Sequence, residues 1–445
     1  MSTEKFEPED TIQLQEVDEV NGITRESTHH LMRSSKIKGA AVAACRNGGI
    51  FTMPIGETLG TEESSPTPVR PGTIFEAASL SKPVFAYLVL KLIEMNKINR
   101  ERSAFLGKFK TEFDLKTPLY TLFRDTEGQI IPDDENPFLK RFLPNQNDQA
   151  KRLTAEMVLS HRTGLHITDE EPFKFQFPPG KYYAYSGPGI DCLQGAIKEL
   201  TGVDLETLAR EYVFGPRALN MPNSSYGRPK PVAANSLRTT AEEYAKFITA
   251  WINDDQLNYA FRPIEPIYSM INDFFPYSED KLVEKVRVSE SDREQVTWGL
   301  GIGLVKNGQG QIIGAYHTGD MNNARAGFGA EINPQTQRCI ATTVYFANSH
   351  NGHILAEHVL PSTLEPALNY FFPTYGFARN VEELDGTDFH GLNPKILNPE
   401  LKEKAYKTKS AMQNEEQLGD QTTEKVEKTQ TPTAYPTTPK PPWEY

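Results

Sequence analysis

The chain has 445 residues, of which 38% are hydrophobic and 24% charged, and a net charge of −12. That length holds one large domain or two ordinary ones with a sizeable core, and the composition is globular. The negative charge, offset by no Lys/Arg-rich run, repels phosphate backbones and argues against nucleic acid as a partner.

Residues 1–20 are acidic and poor in apolar side chains, which predicts a flexible arm over about 1–22. They show no basic stretch followed by an apolar one, and no uncharged apolar run reaches the ~18 residues of a membrane helix. A cytoplasmic protein with no membrane span is therefore expected, with export by a non-classical route left open. Cys45, Cys192 and Cys339 are few, odd in number and far apart, which predicts free thiols rather than a disulfide framework.

A short helix is expected over 24–33. KGAAVAACR (38–46) and GIFTMPIGE (49–57) predict two strands joined at Asn47-Gly48-Gly49. A long helix is expected over 81–95, with Val84, Leu88 and Leu92 in one apolar row and Phe85, Val89 and Ile93 in the next. Residues 100–150 have no assignable pattern. Further helices are expected at 155–160 and 190–200, and 230–275 reads as mainly helical from the spacing in LRTTAEEYAKFITAWIN. Strand signals return with WGLGIGLVK (298–306), QIIGAYH (311–317), AGFGAEINP (326–334) and CIATTVYFAN (339–348), and a closing helix over 353–372 is interrupted near Pro361.

Strands at both ends with helices between them predict an α+β fold. Its antiparallel sheet is built from both chain ends and flanked by helices, with a mainly helical inserted subdomain, all within 23–375. The extension 376–445 turns to Thr, Pro, Glu and Lys, and is expected to be disordered from about 415. Pro436, Pro439 and Pro442 are spaced for a proline-binding domain, although a solvated end explains them as well.

Three segments carry reactive groups. The first is Ser79-Leu80-Ser81-Lys82, where a serine at a helix start has a lysine three residues on, on the same face. Serine is a weak nucleophile without a base, and lysine becomes one only if burial or nearby positive charge lowers its pKa. The same spacing at Ser35–Lys38 and Ser278–Lys281 lies in polar stretches and heads no long amphipathic helix. The second is Pro179-Gly180-Lys181-Tyr182-Tyr183-Ala184-Tyr185-Ser186-Gly187, where a tyrosine hydroxyl can pass a proton to a leaving group. The third is His317-Thr318-Gly319-Asp320 at the end of a predicted strand, where glycine lets backbone approach a substrate. Singly, the second and third are what an ordinary aromatic loop or strand end looks like.

In this order the three resemble the serine hydrolases of the class C β-lactamase, D-alanyl-D-alanine peptidase and penicillin-binding-protein superfamily. Leu159-Ser160-His161-Arg162-Thr163-Gly164-Leu165, Trp298-Gly299-Leu300-Gly301 and Asn348-Ser349-His350-Asn351-Gly352 extend the resemblance across roughly 25–372. It implies a β-lactamase/transpeptidase-like fold and an enzyme with no cofactor and no metal. Ser79 would be the acylated nucleophile, Lys82 its base and Tyr185 the proton shuttle. His317 stands where many members have lysine. Thr318, Gly319, Asp320 and Gly187 would meet the substrate, with the Ser79 and Asp320 amides as oxyanion donors.

Gly187 departs from the family's usual asparagine, which puts amide recognition in doubt more than acyl transfer. A small ester or amide is the expected substrate. The alternatives are a β-lactamase or D-amino-acid peptidase, or a silent binding protein of the same fold. No Gly-x-Ser-x-Gly elbow or His-Glu-x-x-His occurs, and His350, His353 and His358 read as partly exposed helix residues.

Overall fold

Asn47 and Gly48 both take positive φ, 51° and 76°, the backbone a two-residue hairpin needs to match the twist of its strands. In this computed structural model, which describes residues 14–60, 64–101, 111–165, 171–227, 230–264 and 290–368, that hairpin belongs to an eight-stranded sheet. The strands are β1 (Leu14–Glu16), β2 (Gly39–Arg46), β3 (Gly49–Gly56), β4 (Val296–Trp298), β5 (Gly303–Lys306), β6 (Ile312–Met321), β7 (Ala324–Ile332) and β8 (Cys339–Ala347). Their spatial order is β1-β3-β2-β8-β7-β6-β5-β4. Every pairing is antiparallel except that of β1 with β3. The chain ends meet at β2 and β8, where Ala41 faces Phe346 and Ala43 faces Val344.

Among the helices of the described residues are α1 (Arg25–Ser34), α2 (Ser81–Glu101), α3 (Ala155–Leu159), α4 (Gly187–Thr201), α5 (Ala241–Ile252) and α6 (Leu355–Val359). Strand β2 explains the layering. Ala41, Ala43 and Cys45 join the core that contains Phe247, Ile248 and Trp251 of α5. Ala40, Val42 and Ala44 join the opposite core with Leu31 and Met32 of α1 and Leu355, Ala356 and Val359 of α6. With both faces covered, the strand is a continuous apolar run rather than an alternating one. Helix α5 begins at an N-cap: the Thr240 hydroxyl accepts from the Glu243 amide at 3.2 Å.

The α+β expectation holds, with three local corrections. The strand expected over 298–306 is two, β4 and β5, parted at Gly299-Leu300-Gly301, where Gly301 takes φ 78°. Strand β6 runs four residues past His317. Residues 231–237 are turn and coil and α5 covers only Ala241–Ile252, while residues 265–275 lie outside the described residues, as does the extension 376–445.

Of the flexible arm expected over about 1–22, residues 1–13 lie outside the described residues. From Leu14 onward the chain is folded, and Val20 is buried. Arg25 supplies the reason. Its guanidinium reaches Asp18 at 2.8 Å, Glu16 at 3.1 Å and the Val17 carbonyl at 3.0 Å, and also donates to the Pro54 carbonyl of β3. Two of the acidic residues that looked like an arm, Glu16 and Asp18, are thus the counter-charge of one arginine. Arg25→Ala is expected to lower stability by about 1–2 kcal/mol in urea unfolding, more than an isolated surface ion pair contributes. An unchanged midpoint would mean that β1 is held by its ladder alone.

Candidate active site

Ser79 sits in a single 3-10 turn, Ala78–Leu80, that runs directly into α2. Ala78 takes φ 46°, an uncommon value for a residue with a Cβ. The turn is pinned on several sides. The Ala77 amide donates to the Leu237 carbonyl at 2.8 Å, and the Leu237 amide donates to Ser81 Oγ at 2.9 Å. The buried hydroxyls of Tyr244 and Tyr226 donate to the carbonyls of Leu80 and Ser81, at 2.9 and 2.8 Å.

Lys82 lies one helical turn on, and its side chain turns back to the serine. Nζ is 2.9 Å from Ser79 Oγ and donates to the Ala234 carbonyl at 2.8 Å. The residue is only 3% exposed. Burial disfavours the ammonium and lowers the pKa to about 7, against the opposing pull of the Asp191 carboxylate on α4. Near neutrality a large fraction of Lys82 is therefore the free amine that a base requires.

The Tyr185 ring lies under this amine, its centroid 4.9 Å from Nζ. Around it are His161 at 4.3 Å, His317 at 6.0 Å and Trp298 at 6.3 Å between ring centroids. His161 takes φ 53°, accepts the Ser186 amide at Nδ1 at 3.2 Å, and is held well below the usual histidine pKa by burial and by Lys82. His317 is also buried, and burial with Lys82 lowers its pKa to about 3. Its Nδ1 is 2.7 Å from the Thr318 carbonyl, which can only accept, so Nδ1 carries the proton and Nε2 keeps its lone pair. The imidazole is neutral across the physiological range.

Strand β6 forms the facing wall. A Cβ at Gly319 would lie 2.4 Å from the Ala77 carbonyl oxygen and 3.3 Å from the amide nitrogens of Ser79 and Leu80. Only a residue without a side chain lets this strand touch the serine's turn. Thr318 and Asp320 alternate to the other side. Asp320 pairs with Arg325 at 3.1 Å, its register partner on β7. Gly187 opens α4, whose N-cap is Ser186 Oγ accepting the Gly189 amide at 3.1 Å.

The structure thus brings Ser79, Lys82, Tyr185, His317 and Gly319 together. It moves the His317 motif from the end of a strand into its interior, since β6 pairs with β7 as far as Met321. His353 is buried rather than partly exposed, because a 3-10 turn at Gly352–Ile354 tucks its ring against β8, where Nδ1 is 2.8 Å from the Tyr345 hydroxyl. His350 is exposed, and His358 Nε2 is 3.2 Å from Thr28 Oγ1. Among the described residues no cluster of three or more His, Cys, Asp or Glu side chains is placed to hold a metal. Cys45 and Cys192 are buried free thiols and Cys339 a half-buried one. Two groups of the site have no role assigned from the sequence: the imidazole of His161, which packs on the Tyr185 ring and is signalled only by its place before Thr163-Gly164, and the Ala234 carbonyl on the amine, which no residue type signals.

A family model described as Beta-lactamase matches residues 25–356. Among solved structures, the fold is similar to that of SurE with D-Leu, at 20% identity over 78% of this chain and 76% of that one, with a TM-score of 0.50. It is similar to a class C beta-lactamase at 15% identity over 73% and 89%, with a TM-score of 0.50. An octameric penicillin-binding protein homologue from Pyrococcus abyssi gives 15% identity over 75% and 76%, with the same score. A search of curated proteins found no match to the sequence. Among the described residues no helix is long and apolar enough to cross a membrane.

Proposed function

Since this chain belongs to the Beta-lactamase family, we propose that it is a serine hydrolase that forms an acyl-enzyme on Ser79, with a small ester or amide as substrate. The observation that carries this reading is the 2.9 Å contact between Ser79 Oγ and a buried lysine amine whose pKa is lowered to about 7. In the first half-reaction Ser79 Oγ bonds to the substrate carbonyl carbon as its proton passes to Lys82 Nζ. The carbonyl oxygen takes the negative charge, facing the amides of Ser79 and Asp320. The bond to the leaving group then breaks, and that group takes the proton from Lys82 through Tyr185, which returns Lys82 to the free amine. In the second half-reaction water attacks the acyl carbon and gives its proton to Lys82, and Ser79 leaves as the free hydroxyl by taking that proton from Lys82.

The neutrality of His317 favours a substrate without an anionic group beside the scissile bond. A lysine there would present a positive charge; an imidazole with a pKa of about 3 presents only a lone pair at Nε2. Gly187 removes a side chain that could bind a substrate amide. Both features favour a simple ester over a β-lactam, which carries a carboxylate and an amide.

The purified protein is expected to hydrolyse short-chain p-nitrophenyl esters faster than a chromogenic cephalosporin, with D-amino-acid amides between them. A cephalosporin turned over faster than every ester would overturn the substrate class and leave the nucleophile in place. No turnover in the whole panel, together with no covalent capture at Ser79, would favour a binding protein.

A further inference from the structure

The Lys82 amine is held by a backbone carbonyl that lies on a segment with no ladder of its own. Residues 231–237 form a turn at 233–235 and enter a strand only at Arg238. One side chain on α4 fixes this segment twice. Gln194 Nε2 donates to the Pro231 carbonyl at 2.8 Å, and Oε1 accepts the Ala233 amide at 2.7 Å. The orientation of the carboxamide follows from chemistry, since the carbonyl needs a donor and the N–H an acceptor. On the far side, the Leu237 amide donates to Ser81 Oγ at 2.9 Å. The segment is therefore tied to α4 at one end and to the helix of the nucleophile at the other. Ala234 lies between the two ties, one residue beyond the amide that Gln194 holds.

Helix α4 does not need Gln194 for its own packing. Its core contacts are made by Ile190, Leu193, Ala196 and Ile197. Nor does another side chain near Lys82 replace the carbonyl. Ser79 takes one of the amine's hydrogen bonds, Tyr185 presents a ring, and His161 and His317 are neutral. The Asp191 carboxylate on α4 favours the charged amine.

We propose that Gln194 is a positioning residue of the hydrolysis: by clamping Pro231 and Ala233 it aims the Ala234 carbonyl at Lys82 and so keeps the Lys82 amine on Ser79. This rests on the reading of Ser79 and Lys82 as nucleophile and base. A loose carbonyl loses the amine in two ways. The amine leaves its attacking geometry, where displacements near 1 Å cost up to about a hundredfold in rate. The ammonium form also loses an acceptor, so its pKa falls further.

The test is the rate at which a fluorophosphonate labels the full-length chain between pH 5 and 10, with the labelled peptide identified by mass spectrometry. Wild type is expected to label on Ser79, with a rate that rises through about pH 7. Gln194→Met keeps the length of the side chain and removes both hydrogen bonds. It is expected to label roughly ten- to a hundredfold more slowly at the plateau, with the acid limb displaced to lower pH. Gln194→Glu keeps an acceptor for the Ala233 amide and adds a negative charge. It is expected to recover part of the plateau rate, with its limb displaced to higher pH.

Wild-type labelling by Gln194→Met with an unmoved limb overturns the role. A slower rate with an unmoved limb, and a Glu variant no faster than the Met one, overturns it too, because that is what a merely structural glutamine gives. If Gln194→Met does not fold by circular dichroism, the limb of Gln194→Glu decides: displaced to higher pH it supports the role, unmoved it overturns it. A wild type that labels elsewhere than Ser79 overturns the nucleophile assignment itself, and the unmutated protein alone decides that.

Discussion

Ser79→Ala and Lys82→Ala are each expected to reduce ester turnover by roughly 10⁴-fold or more, and the double variant to lose little beyond either single one. The reason is the 2.9 Å contact. A serine without its base, or a base without its serine, leaves the same broken unit, so the two losses do not add. The pH profile carries a second signature. Only the free amine accepts a proton, so kcat/KM should rise as pH rises through about 7 and level above it. His161 and His317 both titrate well below that range, because burial and Lys82 disfavour their charged forms. An acid limb near the unperturbed lysine value of ~10.4 would contradict the burial argument. Ser35 is an internal control: it shares the bare spacing with Lys38 but is buried at the C-cap of α1, and Ser35→Ala should stay fully active. Turnover surviving in Ser79→Ala would remove the basis of the functional reading.

Gly319→Ala is expected to cost activity by about a hundredfold or more while destabilising the protein by about 1–3 kcal/mol. A single methyl group does this because it has nowhere to go. The Ala77 carbonyl it meets at 2.4 Å is backbone, and Ala77 is itself bound to Leu237, so neither side yields without moving Ser79. The matched control is Gly308→Ala in the turn between β5 and β6, where an added Cβ meets nothing within 4 Å. Steady-state rates and thermal melts of the two variants decide it. A Gly319→Ala enzyme with wild-type turnover would mean that β6 and the nucleophile's turn can separate without consequence.

The sequence showed some parts of this site and hid others for physical reasons. Strand ends were legible where turn chemistry marks them, as at Asn47-Gly48, whose positive φ values ask for those residue types. The first turn of α2 was legible because apolar spacing follows Ser79 at once. Strand β1 was not, since three exposed residues pairing in parallel leave no alternation to read. The continuation of β6 to Met321 was hidden because polar Thr318 and Asp320 lie on its far face, where an ion pair of Asp320 with Arg325 replaces apolar packing. His353 looked like a helix-surface residue because the spacing on the turn before α6 carries no sign that the ring packs under β8. The Ala234 carbonyl is the clearest case. A backbone oxygen has no residue type, and the side chain that fixes it, Gln194, sits 40 positions earlier in the chain.

The meeting of β2 with β8 also sets an order of events during synthesis. The Gly39 amide donates to the Asn348 side chain across a separation of 309 residues. At roughly 5–20 residues per second on the ribosome, the hairpin of β2 and β3 waits about 15–60 s for its neighbour to emerge. Through that interval β2 presents an unpaired edge whose small apolar side chains are meant to be covered on both faces, a surface open to pairing with other chains. Closing so long a loop also makes the folding barrier largely entropic and folding slow. The hairpin of β2 and β3 leaves the ribosome long before its partner strand and is therefore among the last parts of the sheet to be completed.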